Sequence, residues 1–173
     1  AVQNVQYFNK PPLSAYADGG SSRPTPPHQD GYYWMHDAGA TMWLAIDAAD
    51  EENGCIRYSP GSANGALRPH AFSGVKGFSQ QLVGYDPAVE REYAMVATPG
   101  DLLVHGAKMI HRAEANRSAA RQRRAVGAIF YGASARWDQE EYDRRAEEIG
   151  RRAAMLPGQQ PSLPSELHCL GEL

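Results

Sequence analysis

Short segments with the two-residue period of a β-strand recur through most of the chain, and turn-forming residues separate them. In residues 123–130 the odd-numbered side chains share one face and the even-numbered side chains share the other. Comparable segments lie at residues 2–8, 41–46, 55–58, 93–97 and 102–105. Several short strands with regular turn signals are typical of a sandwich or a barrel, so we predict a mainly β fold.

The C-terminal part follows a different pattern. Residues 138–141, Asp-Gln-Glu-Glu, resemble a helix capping box. Apolar side chains then recur at helical spacing, at Tyr142, Ala146, Ile149, Ala153 and Leu156. We therefore predict a β core over residues 1–136, an amphipathic helix packed on that core over residues 137–156, and an irregular tail over residues 157–173.

Composition limits the function classes that need to be considered. The chain has 173 residues, of which 42% are hydrophobic, which is enough for one domain with a core. A net charge of -3 gives no electrostatic basis for binding nucleic acid or an anionic membrane. No apolar run is long enough to span a bilayer, and the N-terminus lacks the pattern of a secretory signal. Cys55 and Cys169 are too few for a disulfide framework, so we expect a cytoplasmic location. The sequence does not determine the oligomeric state.

A candidate metal motif lies in residues 25–31. If this segment is extended, His28 and Asp30 project from the same face, because side chains two residues apart do so in a strand. They offer two of the three ligands of a 2-His-1-carboxylate facial triad, a site that suits non-haem Fe(II). The pair alone is a weak signal, since most such pairs are solvated loop residues. His105 and His111 are both candidates for the third ligand, and the residues alone leave the choice open.

Two further segments bear on a possible substrate pocket. Tyr32, Tyr33 and Trp34 follow the metal motif and either pack in the core or form a pocket wall beside the metal. Residues 63–92 are rich in glycine and only weakly periodic. We predict that they form a long excursion, of the kind that often serves as a lid or binding loop.

A series of short motifs runs through the chain in a characteristic order. They are Asn9-Lys10-Pro11-Pro12, Thr25-Pro26-Pro27-His28-Gln29-Asp30, Trp43-Leu44-Ala45-Ile46-Asp47, Glu52-Asn53-Gly54-Cys55, Pro60-Gly61-Ser62, Gly100-Asp101-Leu102-Leu103, Ile110-His111-Arg112, Asn116-Arg117-Ser118 and Arg123-Arg124-Ala125. The ordered set resembles the phytanoyl-CoA dioxygenase family of Fe(II)/2-oxoglutarate oxygenases over residues 4–133. The resemblance implies a double-stranded β-helix, a cupin-like jelly roll, which agrees with the strand pattern.

The resemblance also implies a ligand set. By position, His28 and Asp30 match the proximal iron ligands of the family, and His111 matches the distal ligand because it precedes the Asn-x-Ser motif. His105 falls at a position that the family does not use for metal.

The cosubstrate site follows from the same resemblance. In the family, an arginine on the strand after the distal histidine holds a carboxylate of 2-oxoglutarate. Arg123 fits best, with Arg121 and Arg124 as alternatives, and the small residues that follow Arg123 on its face leave room for a ligand. Gln6 and Trp43 match positions that line the cosubstrate pocket, although Trp43 is as readily explained by core packing.

The resemblance implies a hydroxylase of a small organic substrate that uses Fe(II), 2-oxoglutarate and O2, and releases succinate and CO2. Asp30 favours hydroxylation, because halogenating relatives have a small residue there. Family members are longer at the N-terminus, so we expect some N-terminal elements to be missing. One alternative is therefore a catalytically silent or truncated metal-binding jelly roll. Another is a cupin-like isomerase or dioxygenase that works without 2-oxoglutarate.

Overall fold

The computed structural model describes residues 2–34, 38–75 and 78–135, together with residues 139, 140, 143, 144, 147 and 151. Strands dominate these residues. They are β1 (Val2–Lys10), β2 (Thr25–His28), β3 (Gly39–Ala45), β4 (Ile56–Tyr58), β5 (His70–Val75), β6 (Phe78–Leu82), β7 (Tyr93–Met95), β8 (Leu102–Gly106), β9 (His111–Ala113) and β10 (Arg123–Tyr131). A short helix, α1 (Asp30–Trp34), follows β2, and 3-10 turns occupy Leu13–Ala15 and Ser62–Asn64.

Two antiparallel four-stranded sheets enclose the core. The first sheet has the strand order β1-β10-β3-β8, and the second has the order β2-β9-β4-β7. Trp43 and Ala125 of the first sheet pack in one cluster with Ile56 and Tyr58 of the second, so the sheets face each other. The hairpin β5–β6 lies beside β2. The predicted jelly roll is thus confirmed.

The alternation predicted for the closing strand is also present. In β10 the residues Arg123, Ala125, Gly127 and Ile129 are buried, and the residues between them are partly exposed. This strand pairs with β1 on one side and with β3 on the other, so it lies in the interior of the first sheet.

Two segments differ from the sequence-based expectation. Residues 63–92 contain the β5–β6 hairpin instead of an irregular excursion; β5 is half-buried at every position, so it shows no two-residue period. Strand β2 includes Pro26 and Pro27, the end of a stretch rich in Ser, Gly and Pro, residues 13–27, whose composition predicts a loop. The two prolines are tolerated because β2 is an edge strand of its sheet, where missing N–H donors cost little.

The predicted C-terminal helix lies mostly outside the described residues. Those that are described within 137–156, namely 139, 140, 143, 144, 147 and 151, are helical and exposed. The packing of this helix and the nature of residues 157–173 therefore stay predictions. In the portion of the chain that the structure describes, no helix has the length and apolar character needed to cross a bilayer.

Candidate active site

Strand register places the histidines in two facing rows. In the second sheet His28 on β2 pairs with His111 on β9, and His111 pairs in turn with Tyr58 on β4. In the first sheet Thr41 on β3 pairs with His105 on β8. All five residues are buried, so the two rows meet inside the jelly roll.

Asp30 reaches this interior from a different backbone conformation than we predicted. Strand β2 ends at His28, and Asp30 is the first residue of α1, so the two side chains do not converge as neighbours on one strand face. Gln29 between them is fully buried. Its amide donates to the Lys108 carbonyl oxygen at 2.7 Å and accepts from the Arg68 backbone N–H at 2.8 Å. These bonds fix the chain where it turns, so the side chains of His28 and Asp30 both point inward.

Three acceptor atoms converge at the centre. Nε2 of His28 lies 3.4 Å from Oδ1 of Asp30, and Nε2 of His111 lies 3.6 Å from the same oxygen. Nδ1 of each ring is hydrogen-bonded to a backbone carbonyl oxygen, that of Pro26 at 2.8 Å and that of Met109 at 3.0 Å. A carbonyl only accepts, so each Nδ1 carries a proton, and in the neutral ring each Nε2 therefore presents a lone pair. Two imidazole lone pairs and a carboxylate oxygen within 4.8 Å of one another fit a divalent cation such as Fe(II).

The electrostatic environment keeps this donor set in the form that a metal needs. Burial opposes ionisation of Asp30, but the adjacent His111, the hydrogen bond from Nε2 of His105 and the contact with the His28 ring outweigh it and hold the pKa of Asp30 well below its usual value. Burial, together with the neighbouring His28 and His105 rings, places the pKa of His111 well below its usual value. At neutral pH the carboxylate is therefore ionised and the His111 ring is neutral.

The second oxygen of Asp30 is engaged by residues that the sequence did not single out as a group. The Thr41 hydroxyl donates to Oδ2 at 2.6 Å, and Nε2 of His105 lies 3.1 Å from the same atom. The Tyr58 hydroxyl lies 2.7 Å from Nδ1 of His105. Burial, and then the charge of Asp30, raise the pKa of Tyr58, which keeps its proton. The β3 alternation could have placed Thr41 on the inward face with Trp43, but no local signal links Tyr58 to His105.

Arg123 is buried in the same interior without an acidic partner in the described residues. Its side chain is 3% exposed, Nε donates to the Gly54 carbonyl oxygen at 3.1 Å, and the guanidinium carbon lies 5.6 Å from the centre of the Trp43 ring. Burial lowers the pKa of Arg123 to about 10. A buried guanidinium of this kind fits a carboxylate, which its two terminal nitrogens can hold with two parallel hydrogen bonds.

The two alternative arginines, Arg121 and Arg124, form ion pairs with other carboxylates. Arg121 is exposed and pairs with Asp50, at 2.8 and 3.1 Å, and with Glu52. Arg124 points out of the core and makes a two-pronged pair with Asp47, with both distances 2.8 Å. Their geometry favours Arg123 as the residue that can receive a ligand.

A second buried cation, Lys10, stands directly across the strand pair from Arg123. It is 5% exposed, and Nζ donates to the Arg23 carbonyl oxygen at 2.7 Å. Burial, followed by repulsion from Arg123, lowers the pKa of Lys10 to about 7. An anionic ligand in this part of the interior would offset that repulsion and favour the charged form of Lys10. Sequence reading missed Lys10, whose position before two prolines suggested only a strand end.

The other predicted pocket residues are placed as follows. Gln6 lies on the inward side of β1, opposite Gly127 of β10. Trp43 is both a core residue and the surface beneath the Arg123 guanidinium, so the two interpretations coexist. The expectation that Gly127 leaves room for a ligand is wrong. A Cβ there would lie 2.7 Å from Cε2 of Phe8, so the glycine makes room for that ring.

Aromatic side chains surround the metal motif. The ring centres of Tyr33 and Phe78 lie 5.8 and 5.6 Å from that of His28, and the Tyr33 hydroxyl donates to the Gln80 carbonyl oxygen at 3.2 Å. Tyr32 instead stacks on His70, with ring centres 4.1 Å apart. Tyr33 and the β5–β6 hairpin therefore form a wall beside the candidate metal centre. The side chain of Trp34 lies outside the described residues.

An antiparallel jelly roll that gathers a His-x-Asp pair and a distant histidine around one point belongs to the class of cupin-like non-haem metal proteins. The family model described as phytanoyl-CoA dioxygenase (PhyH) matches residues 6–125. The chain belongs to this family, as its motifs had indicated.

Relatives of known name agree with the family. Rat peroxisomal phytanoyl-CoA dioxygenase is 30% identical over 140 residues, which cover 77% of this chain and 39% of the relative. The zebrafish phytanoyl-CoA dioxygenase domain-containing protein 1 is 28% identical over 157 residues, covering 86% of this chain and 50% of the relative. The chain thus spans half or less of the length of these two relatives.

Solved structures agree on the fold. EvdO2 from Micromonospora carbonacea var. aurantiaca, crystallised with 2-oxoglutarate, superposes with a TM-score of 0.58 at 28% identity, covering 77% of this chain and 54% of that one. The epimerase SnoN, in complex with Fe3+, alpha ketoglutarate and nogalamycin RO, superposes with a TM-score of 0.64 over 93% of this chain and 59% of that one. SnoN is only 19% identical, so it supports the fold alone.

Proposed function

We propose that this chain is an Fe(II)/2-oxoglutarate-dependent dioxygenase that hydroxylates a small organic substrate. The observation that carries the proposal is the convergence of one candidate ligand atom each from His28, Asp30 and His111, with Nδ1 of both rings turned away to a backbone carbonyl oxygen. The family, and the 2-oxoglutarate bound by EvdO2, support the same reaction type.

The residues have separate tasks in this proposal. His28, Asp30 and His111 would hold the iron, and a site with three protein ligands would leave coordination positions for 2-oxoglutarate and O2. Arg123, with its guanidinium over Trp43, holds the far carboxylate of 2-oxoglutarate, and Gln6 lines that pocket. When bound, the iron and 2-oxoglutarate supply the oxidising chemistry, and the cosubstrate leaves as succinate and CO2.

The aromatic wall formed by Tyr33 and Phe78 excludes water on the His28 side and contacts the substrate. Its apolar lining favours a substrate that presents carbon–hydrogen bonds to the metal. We infer that the substrate is a small organic molecule, and that neither a nucleic acid nor a membrane takes part. The proposed cytoplasmic location rests on the two cysteines alone.

The test is an anaerobic titration of 2-oxoglutarate into the Fe(II)-loaded protein, followed by visible absorbance. Chelation of the keto acid gives a weak charge-transfer band, which we expect in the wild type and not in His111→Ala. Thr98→Ala is a suitable control, because it removes an exposed hydroxyl that bonds to Asp101 in the turn before β8 and does not contact the metal ligands. Succinate formation under air then reports turnover.

A folded wild-type protein that shows no band would contradict the proposal. A band without succinate, even in the presence of candidate substrates, would instead favour the catalytically silent relative. Activity that forms no succinate and is retained in Arg123→Ala would instead favour a cupin-like enzyme that works without 2-oxoglutarate.

A further inference from the structure

We propose that His105, held in place by Tyr58, is a positioning residue that turns Asp30 so that it offers the metal a single oxygen. This inference rests on the proposed function, because it assigns a role toward the same metal. It concerns residues outside the ligand set: the group of potential ligands contains His28, Asp30 and His111 and does not include His105.

The two oxygens of Asp30 have different surroundings. Oδ1 faces Nε2 of His28 and of His111, at 3.4 and 3.6 Å. Oδ2 is turned away and accepts two hydrogen bonds, from the Thr41 hydroxyl at 2.6 Å and from Nε2 of His105 at 3.1 Å. With Oδ2 occupied by two donors, the carboxylate presents Oδ1 to the metal. Ligation through one oxygen keeps a further coordination position open for the cosubstrate.

The direction of the proton in His105 follows from its two partners. An ionised carboxylate can only accept, so Nε2 of His105 carries the proton that points at Asp30. In the neutral ring Nδ1 is then an acceptor, and it receives the Tyr58 hydroxyl proton across 2.7 Å. Tyr58 thereby selects the ring tautomer that donates to Asp30, in the way that outer partners commonly orient groups around metal sites.

Burial and topology make this arrangement rigid. His105, Tyr58 and Thr41 are 4%, 8% and 7% exposed, so water cannot readily replace any of the three hydrogen bonds. His105 and Thr41 are register partners in the first sheet, whereas Tyr58 belongs to the second sheet and is the register partner of His111. The chain from Tyr58 through His105 to Asp30 therefore crosses the core and ties one sheet to the other at the metal centre.

The experiment measures Co(II) binding to the whole chain by its visible absorption, with the affinity obtained by competition against a chelator. The variants are His105→Leu, which removes the donor, His105→Gln, which retains a donor and an acceptor, and Tyr58→Phe, which removes only the hydroxyl. We expect His105→Leu to weaken Co(II) binding by about 10- to 100-fold and to change the band shape, and His105→Gln to recover most of both. Tyr58→Phe is expected to show a smaller loss of Co(II) affinity than His105→Leu, with the same change in band shape.

Tyr85→Phe is the matched control. Tyr85 also has a partly buried hydroxyl, bonded to Ser59 at 3.0 Å and to Glu92, but it does not touch Asp30 or its partners. We expect its Co(II) affinity and spectrum to equal those of the wild type. Thermal unfolding without metal shows whether each variant is folded. If Tyr85→Phe shifted the spectrum as Tyr58→Phe does, the effect would be general loosening and the inference would be wrong.

The remaining outcomes separate the inference from the proposed function. Wild-type protein that binds no Co(II) overturns the proposed function and this inference with it. Wild-type binding with an unchanged affinity and spectrum in His105→Leu overturns the inference alone. Loss of Co(II) in both His105→Leu and His105→Gln, as complete as in His111→Ala, would make His105 a ligand and also overturn the inference.

Discussion

Replacement of Arg123 by methionine should have opposite effects on the ligand-free protein and on cosubstrate binding. The pKa of Arg123 is lowered from 12.5 to about 10, mainly by burial. At about 1.4 kcal/mol per pKa unit, burying the charged form costs about 3 kcal/mol. The hydrogen bond to Gly54 and the contact with Trp43 each offset this cost by about 1 kcal/mol. The ligand-free variant Arg123→Met should therefore be at least as stable as the wild type.

The same substitution should remove most of the affinity for 2-oxoglutarate. Loss of one partner from a buried, two-pronged ion pair costs about 3–5 kcal/mol, which corresponds to a dissociation constant raised by about 150- to 5,000-fold. At a cosubstrate concentration of 100 times the wild-type dissociation constant, binding stabilises the wild type by about 2.7 kcal/mol. For a domain of this size that is a rise in Tm of about 5–10 °C, and the variant should show about 1 °C or less.

The assay is anaerobic thermal unfolding of the metal-loaded protein with and without 2-oxoglutarate. Arg121→Met and Arg124→Met are the matched controls, because both arginines pair with carboxylates on the surface. Both should retain the full rise in Tm. The reasoning is refuted if Arg123→Met keeps the rise, or if Arg124→Met is the variant that loses it.

Three further predictions concern stability, measured by urea denaturation. The pKa of Lys10 is lowered from the ordinary lysine value of 10.5 to about 7 by folding, so between these values the unfolded chain binds more protons and stability rises with pH. Lys10→Met should remove a slope of up to about 1.4 kcal/mol per pH unit between about pH 7.5 and 9.5, and an unchanged slope would contradict the assignment. Glu92→Gln breaks a partly buried pair with Arg112 and should cost about 2 kcal/mol, whereas Glu51→Gln, in an exposed pair, should cost less than about 1 kcal/mol. Gly54→Ala and Gly61→Ala both place alanine at a φ near +84°, but only at Gly54 would the Cβ meet a backbone oxygen, at 2.5 Å. Gly54→Ala should therefore lower the free energy of unfolding by about 1–3 kcal/mol more than Gly61→Ala does. Equal decreases would show that the close contact relaxes.

Local pattern was enough to predict a mainly β sandwich or barrel, and the ordered motifs then implied the jelly roll, but neither predicted the backbone at the metal motif. The alternation in β10 reflects a strand buried on one face, and that signal lies within consecutive residues. Pro26 and Pro27 concealed β2, because their cost depends on whether the strand is at the edge of a sheet, which the sequence does not state. Asp30 begins a helix instead of ending a strand, since Gln29 anchors the turn through hydrogen bonds to distant loops.

The residues alone also could not choose between His105 and His111. Both are buried and lie close together, with ring centres 4.3 Å apart. The difference between them is one of register, because His111 pairs with His28 whereas His105 pairs with Thr41 on the other sheet. Cross-strand partners such as these come from remote parts of the chain. For the same reason the contact between His105 and Tyr58 has no signature in either local segment.

The pairing of His28 with His111 has a consequence for how the protein folds. Neither half of the chain holds more than part of the donor set, because β2 lies near the start of the described residues and β9 near their end. Closing the long loop between these strands costs chain entropy that is recovered only when the second sheet is complete. Completion of the donor set therefore depends on a long-range contact between β2 and β9. A metal-dependent spectral signal followed during refolding should therefore arise together with the closure of that sheet, and not with the earlier formation of local hairpins.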